Sequence, residues 1–421
     1  MVLSEWLLVG VASTFAAAGG VAQRQQRLRH LQRVTRSLAF PDGSPRVLIL
    51  SASIGGGHNA AAAVLRHDLE RLGSQVRVLD GFALATPLLS RSFAWAYPFQ
   101  LRYIPWLYEL QFRSSHRPTW TRMWRRIYAG LGGAAFRRLV EELQPDVVVS
   151  TYPLVTQALG VLRSTGRLLT PVVATVTDYG VHRLWIAPGV DLHLVPSRVS
   201  AEQAEDATGE VRVMQPLVRE AFRQSRNRTA LRHRYGFAPS DFVALVVAGA
   251  WGIGHVELIV RDVVDCGVRV IVVCGKNQEL AERLRREYAG CPSVQVWGWT
   301  DQLAELMTAA DCLIQNAGGL TCLEAIACGL PLLMYRPVAG HGVFNAAAME
   351  RAGAARWIRS VEELRMVLRS AAAGRIRLPA PKIDEDAVPA AEAILALVAG
   401  REARIGASRT FAPQLVRSGS S

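Results

Sequence analysis

The sequence Asn316-Ala317-Gly318-Gly319-Leu320-Thr321-Cys322-Leu323-Glu324-Ala325 joins a short apolar segment to a helical one. The preceding Cys312-Leu313-Ile314 has the apolar run of a buried strand. Apolar side chains recur afterwards at the spacing of one helix face, at Leu323, Ile326, Ala327 and Leu330. The two glycines are therefore predicted to lie at a strand-to-helix corner.

Such a corner suits a phosphorylated ligand. The first backbone N–H groups of a helix have no partner within the helix, and glycines without a Cβ atom allow a ligand to come close. The residues predicted to hold a diphosphate are Gly318, Gly319, Leu320 and Thr321. Glu324, in the first helical turns, would accept hydrogen bonds from ribose hydroxyls. Alternatively, the glycines only shape a turn and Glu324 only complements the helix dipole.

The rest of the chain alternates apolar strands with helical segments, which is typical of parallel sheets covered by helices. One series of strands is predicted at 46–50, 76–79, 147–150 and 172–176, and a second at 242–247, 268–273, 294–296, 312–314 and 332–334. We predict an α/β protein of two doubly wound, Rossmann-like domains, 46–217 and 241–378, that face a cleft and are joined by a linker at 218–240. A helix at 386–400 and a disordered basic tail at 401–421 are predicted to follow.

A second glycine loop, Gly55-Gly56-Gly57-His58, follows the first strand of the N-terminal domain. At the start of a helix the dipole disfavours the imidazolium form, so the ring of His58 stays neutral and can accept a proton. The sequence predicts His58 as a general base, with Gly56 and Gly57 allowing close approach of a substrate. A turn or capping role for His58 is the alternative.

Two further loops follow predicted strands and are expected at the same cleft. Thr177-Asp178-Tyr179-Gly180-Val181-His182-Arg183-Leu184-Trp185 places Asp178, His182 and Trp185 on the N-terminal side. Gly249-Ala250-Trp251 supplies a second set of backbone donors on the C-terminal side. Asp178 could instead cap a helix, and Trp185 could belong to the core.

The N-terminal segment is predicted to attach the chain to a membrane. Residues 6–22 are uncharged and apolar, and an arginine run from Arg24 to Arg36 follows them. By the positive-inside rule, an anchor within residues 1–40 leaves the remaining chain at the cytoplasmic face of the membrane. A cleaved signal peptide would carry its positive charges first, and here Glu5 precedes the apolar residues. A helix packed on the body is the other alternative.

The chain is strongly basic, and its cysteines lack the spacing of a metal site. The formal net charge is +13, and nearly all cationic side chains are arginines, because Lys276 and Lys382 are the only lysines. The six cysteines lie in the second half without a C-x-x-C pair, so the pattern favours buried thiols over disulfides or a zinc site.

Residues 91–128, here called the flap, interleave aromatic side chains with arginines around a single acid, Glu109. Tryptophan and tyrosine suit the headgroup level of a bilayer, and arginines pair with lipid phosphates. We predict an anionic membrane surface as the partner of the flap. Nucleic acid could use the same groups but is not expected, and a pair of buried helices is the structural alternative.

Together these elements resemble the monogalactosyldiacylglycerol synthase and processive diacylglycerol glucosyltransferase family, and more distantly the peptidoglycan N-acetylglucosaminyltransferase. The resemblance extends from about Arg46 to Trp357. It rests on Gly55–His58, on the T-D-x-x-x-H-x-x-W element from Thr177 to Trp185, and on the C-terminal signature Gly318 to Ala325, Gly329-Leu330-Pro331, Pro337-Val338-x-Gly340 and Asn345-Ala346.

The resemblance implies a GT-B fold, a UDP-sugar donor and inversion at the anomeric carbon. It implies that His58 deprotonates a lipid hydroxyl, that Asp178 orients the ring or the acceptor, and that Asn345 belongs to the donor side. No cofactor or metal is expected, since helix N–H groups can stabilise the departing UDP and no clear D-x-D pair adjoins a strand end. Where relatives often carry Gln, this chain has His341, a residue expected near the sugar hydroxyls.

The sequence thus predicts a membrane-associated transferase that moves galactose or glucose from a UDP-hexose to diacylglycerol or a similar lipid. One alternative keeps the fold with a polyprenyl-linked or other sugar-lipid acceptor. Another is a nicotinamide-dependent oxidoreductase, because Asp80 ends the strand after the first glycine loop. The last is a non-catalytic sensor of a nucleotide-sugar or lipid.

Overall fold

Two parallel six-stranded sheets organise the part of the chain described by the computed structural model, which comprises residues 40, 41, 43–54 and 56–410, with the backbone alone for 401–410. Residues 1–39 of the predicted anchor segment, Gly55, and residues 411–421 of the predicted tail lie outside the described residues. The N-terminal sheet has the order β2-β1-β3-β4-β5-β6. Its strands are β1 (Arg46–Ser51), β2 (Gln75–Asp80), β3 (Val147–Ser150), β4 (Val172–Thr175), β5 (Leu192–Val195) and β6 (Glu210–Val213).

Helices cover both faces of this sheet. The first, α1 (Gly57–Arg71), follows β1 directly, and α2 (Gly81–Ala85) follows β2. Three helices then carry the flap: α3 (Pro87–Tyr103), α4 (Pro105–Ser115) and α5 (Pro118–Leu143). A proline in the first turn of each suits a position whose N–H has no helical partner. The domain also contains α6 (Pro153–Ser164) and α7 (Arg198–Gln203).

The C-terminal sheet has the order β12-β11-β10-β7-β8-β9. Its strands are β7 (Val243–Val247), β8 (Arg269–Val273), β9 (Val294–Trp297), β10 (Cys312–Gln315), β11 (Leu332–Tyr335) and β12 (Arg356–Ile358). The helices around it are α9 (Val256–Val264), α10 (Gln278–Glu287), α11 (Leu303–Ala309), α12 (Leu320–Ala327), α13 (His341–Arg351) and α14 (Val361–Ala372). The predicted linker contains a 3-10 turn at Glu220–Phe222 and a short helix, α8 (Arg228–Arg234).

The central strands consist of continuous apolar residues because helices cover both faces of each sheet. In β1, all residues from Val47 to Leu50 are fully buried, and β7 is equally apolar and enclosed. Because every strand pair is parallel, the loops after β1, β4, β7 and β10 emerge at the carboxyl edges of their sheets. These are the loops that carry the predicted site residues.

The last described helix, α15 (Ala390–Thr410), returns to the N-terminal domain. Its buried side chains, among them Ile394 and Val398, pack with Leu65 and Leu69 of α1. The helix starts four residues after and ends ten residues beyond the predicted 386–400, so part of the predicted tail is helical. Within the described part of the chain, no helix is both long and apolar enough to cross a bilayer.

Candidate active site

The glycine corner predicted between β10 and α12 is present. Gly318 has φ +78°, and a Cβ atom added to it would lie 2.4 Å from Cβ of Asn345, so only glycine fits there. Gly319 precedes the helix and has open space where a side chain would stand. The first N–H groups of α12 therefore face an unobstructed region, as an anion site requires.

Glu324 lies one turn into α12 and is 6% exposed. Among the described residues, its carboxylate has no hydrogen bond or ion-pair partner, although it borders the cavity between the domains. Burial raises the pKa of Glu324 to about 7, and the charge of Arg219 opposes that shift. A buried carboxylate without a partner is ready to accept hydrogen bonds from a ligand.

His58 lies in the first turn of α1, after Gly56, whose φ of +84° turns the loop into the helix. The hydroxyl of Thr177 is 3.3 Å from Nδ1 of His58. The ring of Tyr152 stands edge-on to the imidazole, with ring centroids 5.1 Å apart, and Trp185 lies at 5.9 Å. Burial lowers the pKa of His58, and the negative charge of Asp178 raises it by a smaller amount.

Asp178 is fixed from both domains. Its Oδ2 accepts a 3.2 Å hydrogen bond from the indole N–H of Trp185, which is 1% exposed. Its Oδ1 is 3.4 Å from the amide nitrogen of Asn345 in the C-terminal domain. The ring of Trp185 belongs to the core, and its N–H donates to Asp178. Its service on the acceptor side stays a prediction.

The two glycine loops face each other. A Cβ atom added to Gly56 would lie 3.6 Å from Cβ of Ala250, and one added to Gly57 would lie 3.9 Å from Cβ of Leu320. The loop that carries His58 is thus within van der Waals distance of both donor-side loops. The imidazole and the N-terminus of α12 therefore border the same cavity.

His341 begins α13 and enters the cavity from the C-terminal domain. Two tyrosines of the flap approach its ring, with the Tyr108 hydroxyl 3.3 Å from Nδ1 and the Tyr97 hydroxyl 3.4 Å from Nε2. Burial lowers the pKa of His341, and Asp178 raises it by a smaller amount. The ring is therefore neutral at pH 7 and presents one donor and one acceptor nitrogen.

His182 lines the cavity but has a structural role. Its Nδ1 accepts a 3.1 Å hydrogen bond from the backbone N–H of Leu184, and its Nε2 is 3.1 Å from the carbonyl oxygen of Phe112 in α4. Burial lowers the pKa of His182 to about 4. The ring thus ties the flap to the loop after β4, and both of its nitrogens are occupied.

The cavity between the domains has a volume of about 1560 Å³. It is bordered by nearly all predicted site residues: Gly56, Gly57, His58, Asp178, His182, Trp185, Gly249, Ala250, Trp251, Gly319, Leu320, Thr321, Glu324 and His341. Gly318 and Asn345 do not border it and lie behind its wall, where Asn345 also donates a 3.3 Å hydrogen bond to the carbonyl oxygen of Ala317. The sequence did not single out Tyr97, Tyr108 and Tyr152 as cavity residues.

Within the described ranges, no group of three or more His, Cys, Asp or Glu side chains is arranged to hold a metal ion. The six cysteines are free thiols in the structure. Metal independence of the reaction stays a prediction.

Comparison with known proteins gives two family matches. The monogalactosyldiacylglycerol (MGDG) synthase profile matches residues 58–211, and the profile of glycosyl transferases group 1 matches residues 264–351. The chain is similar to the processive diacylglycerol beta-glucosyltransferase of Bacillus subtilis (strain 168), at 31% identity over 326 residues, which cover 76% of this chain and 85% of that protein. The protein of the same name from Bacillus licheniformis is 28% identical over 325 residues, covering 76% and 84%.

Solved structures support the fold. The crystal structure of Acinetobacter baumannii MurG has a TM-score of 0.51 and 18% identity, covering 85% of this chain and 100% of that one. The glycosyltransferase SnogD from Streptomyces nogalater has a TM-score of 0.50 and 18% identity, with the same coverage. At these identities the likeness concerns the fold alone, and it confirms the predicted two-domain GT-B architecture.

Proposed function

This chain is a hexosyltransferase of the monogalactosyldiacylglycerol synthase and diacylglycerol glucosyltransferase family, and we propose that it transfers galactose or glucose from a UDP-hexose to diacylglycerol or a similar lipid alcohol, with inversion. The observation that carries the proposal is the approach of the His58 loop to the N-terminus of α12 across one cavity.

On the donor side, the N-terminus of α12 receives the diphosphate. Gly318 and Gly319 keep the approach free of side chains, and Leu320 and Thr321 contribute helix N–H groups. Glu324 accepts hydrogen bonds from the ribose, which supply the partners that its buried carboxylate lacks. When the glycosidic bond breaks, the helix N–H groups stabilise the charge that develops on the UDP oxygen.

On the acceptor side, the neutral imidazole of His58 takes the proton of the lipid hydroxyl as its oxygen attacks the anomeric carbon. The new carbon–oxygen bond forms on the face opposite the departing UDP, so an α-linked donor yields a β-glycolipid. Asp178 stabilises the imidazolium that results, since its negative charge favours the protonated ring. Trp185 and Asn345 hold Asp178 for this task.

The flap contacts the cytoplasmic face of an anionic membrane. Trp95 and Trp106 are 71% and 66% exposed, and Arg102 and Arg113 on the same helices are exposed too. Exposed tryptophans and arginines suit the headgroup region of a bilayer. The mouth of the cavity would then open where the lipid acceptor resides.

The oxidoreductase alternative finds no support. Asp80 would have to bind a ribose, yet its two carboxylate oxygens accept hydrogen bonds from the backbone N–H groups of Ser53 and Ala83. It caps α2 and fixes the loop after β1. Asp80 therefore has a structural role, and the chain's membership of a transferase family also disfavours an oxidoreductase.

The test is to supply purified protein with UDP-glucose or UDP-galactose and diacylglycerol vesicles, and to measure glycolipid and released UDP. His58→Ala should lower kcat by about 10²–10⁴-fold while UDP still binds. His233→Ala, at an exposed position of α8, is the matched control and should keep full activity. Absence of product with every lipid alcohol, despite UDP binding, would instead favour a non-catalytic sensor.

A further inference from the structure

Part of the cavity lining comes from α3 and α5, and the space that these two helices border is here called the branch. From α3, one helix face borders it, formed by Leu89, Ser92, Phe93, Ala96, Tyr97 and Gln100. From α5, a second face borders it, formed by Trp120, Trp124, Ile127, Tyr128 and Leu131. Both sets follow the spacing of a single helix face, so the branch is a groove between two facing helices.

Aromatic rings connect this branch to the proposed base. The ring of Tyr152 is 5.1 Å from His58 and 5.1 Å from Phe82, measured between centroids. Phe82 in turn lies 5.9 Å from Phe93 of α3 and 6.1 Å from Tyr128 of α5. Tyr152, Phe93 and Tyr128 border the cavity and Phe82 packs behind them, so one layer of aromatic rings extends from the imidazole to the flap helices.

The branch is apolar and leads to the surface. Among the described residues 87–131 that border the cavity, none is charged, although the flap is rich in arginine. Three bordering side chains are also exposed, namely Phe93 at 36%, Leu131 at 38% and Trp106 at 66%. An uncharged groove that opens among exposed apolar side chains suits a hydrocarbon chain and disfavours a nucleotide or a sugar.

The size of the cavity fits two ligands. A pocket for one drug-sized molecule measures roughly 300–1,000 Å³, and this cavity measures about 1560 Å³. Tyr97 of α3 is the point at which the branch meets the donor side, since its ring centroid lies 5.6 Å from that of Trp251. The volume beyond that of one ligand leaves room for a second along the faces of α3 and α5.

We propose that the branch between α3 and α5 is an acyl-chain channel, which holds one fatty chain of the lipid acceptor while its hydroxyl lies at His58. The inference rests on the proposed function and deepens it. The lipid is then drawn partly out of the bilayer for reaction, and the channel, as well as the reacting hydroxyl, selects the acceptor. If the fatty chains stayed in the bilayer instead, substitutions in the flap would not change the preference of the enzyme for acceptors with long or short fatty chains.

The experiment blocks the channel from each wall separately. Ala96→Phe fills it from α3, and Ile127→Trp fills it from α5; both positions are half-buried in the groove. Ala372→Phe, at an exposed position on α14, is the matched control. Each variant is assayed in detergent micelles with diacylglycerols of six-carbon and sixteen-carbon chains, and the ratio of the two kcat/KM values is compared.

The expected result is that both blocking variants lower the sixteen-carbon to six-carbon ratio by about tenfold or more, while Ala372→Phe leaves it within twofold. Turnover of the six-carbon acceptor shows that a variant is folded. An unchanged ratio in both blocking variants would overturn the channel. Failure of the proposed function gives a different result, since wild-type protein would then make no glycolipid from either acceptor.

Discussion

The side-chain oxygen of Asn345, in the C-terminal domain, accepts a 2.8 Å hydrogen bond from the backbone N–H of Gly180, in the N-terminal domain. Asn345 is 1% exposed, and its amide nitrogen reaches Asp178 and Ala317. One side chain behind the cavity wall therefore joins the loop that carries the acidic residue of the site to the loop that carries the glycine corner.

Replacing Asn345 by Ala should leave the N–H of Gly180 buried without a partner. Such a group costs about 1–3 kcal/mol, so the free energy of unfolding of the variant should fall by about that amount in urea titrations. Activity should fall as well, because Asp178 loses a contact. If neither the urea midpoint nor kcat changes, the hydrogen bond between Asn345 and Gly180 does not join the domains in solution.

Gly180 should not tolerate a larger residue. A Cβ atom at this position would lie 2.4 Å from Cδ1 of Phe344 across the domain interface, so Gly180→Ala should push the domains apart and lower kcat about tenfold or more. Gly130, within α5, has open space around it. Gly130→Ala is the control and should stabilise the helix by about 0.5–1 kcal/mol. Steady-state kinetics and thermal unfolding of both variants measure the difference; equal kinetics in the two would contradict the proposed clash.

Asp178→Asn should shift the acidic limb of the pH profile to lower pH. The charge of Asp178 raises the pKa of His58 against the larger effect of burial, so its removal leaves the pKa lower still. A base works only when deprotonated, and the limb follows its pKa. The measurement is kcat/KM for the lipid from pH 5 to 8 at saturating UDP-sugar. A shift toward higher pH would refute the electrostatic link between the two residues.

Affinity for a UDP-hexose should rise with pH around 7. Burial holds the pKa of Glu324 at about 7 in the free protein. Ribose hydroxyls donate to the ionised carboxylate, so binding strengthens as pH rises through that value. Glu324→Gln should weaken binding by about 10–100-fold at pH 8, from a charged hydrogen bond of about 1.5–3 kcal/mol, and should abolish the pH dependence. Calorimetry with UDP-glucose and UDP-galactose tests this, and a persistent pH dependence in the variant would count against the assignment.

His341→Gln should change the preference between glucose and galactose donors. The ring of His341 is held by the hydroxyls of Tyr97 and Tyr108 at the cavity wall, and an amide presents its donor and acceptor in a different geometry. We expect the ratio of kcat/KM for the two donors to change by about tenfold, or about 1.4 kcal/mol. Competition assays with both sugars measure that ratio. If it stays constant, His341 does not contact the sugar.

Most of the fold could be predicted because buried parallel strands are apolar throughout. The strands missed were β5, β6 and β12. β5 contains His193, a polar residue that is nonetheless fully buried. β6 contains the charged Glu210 and Arg212, and β12 has three residues and begins with Arg356. Polar residues and short length weaken the apolar run by which a buried strand is recognised.

The position of residues next to glycine loops at the cavity could be predicted, because a strand-loop-helix sequence places such residues at the carboxyl edge of the sheet. Tyr97, Tyr108 and Tyr152 could not, since they come from three different elements and meet only in the folded chain. The place of His182 at the cavity could be predicted, but its hydrogen bond to Phe112 could not, because that bond depends on how the flap packs.

The return of α15 to the N-terminal domain has a consequence for biosynthesis. Leu65 and Leu69 of α1 share their core cluster with Ile394 and Val398, which the ribosome adds after the whole second domain. Domains of large proteins generally mature in the order in which they are translated. Here the first domain stays incomplete until translation has passed the second domain and reached α15.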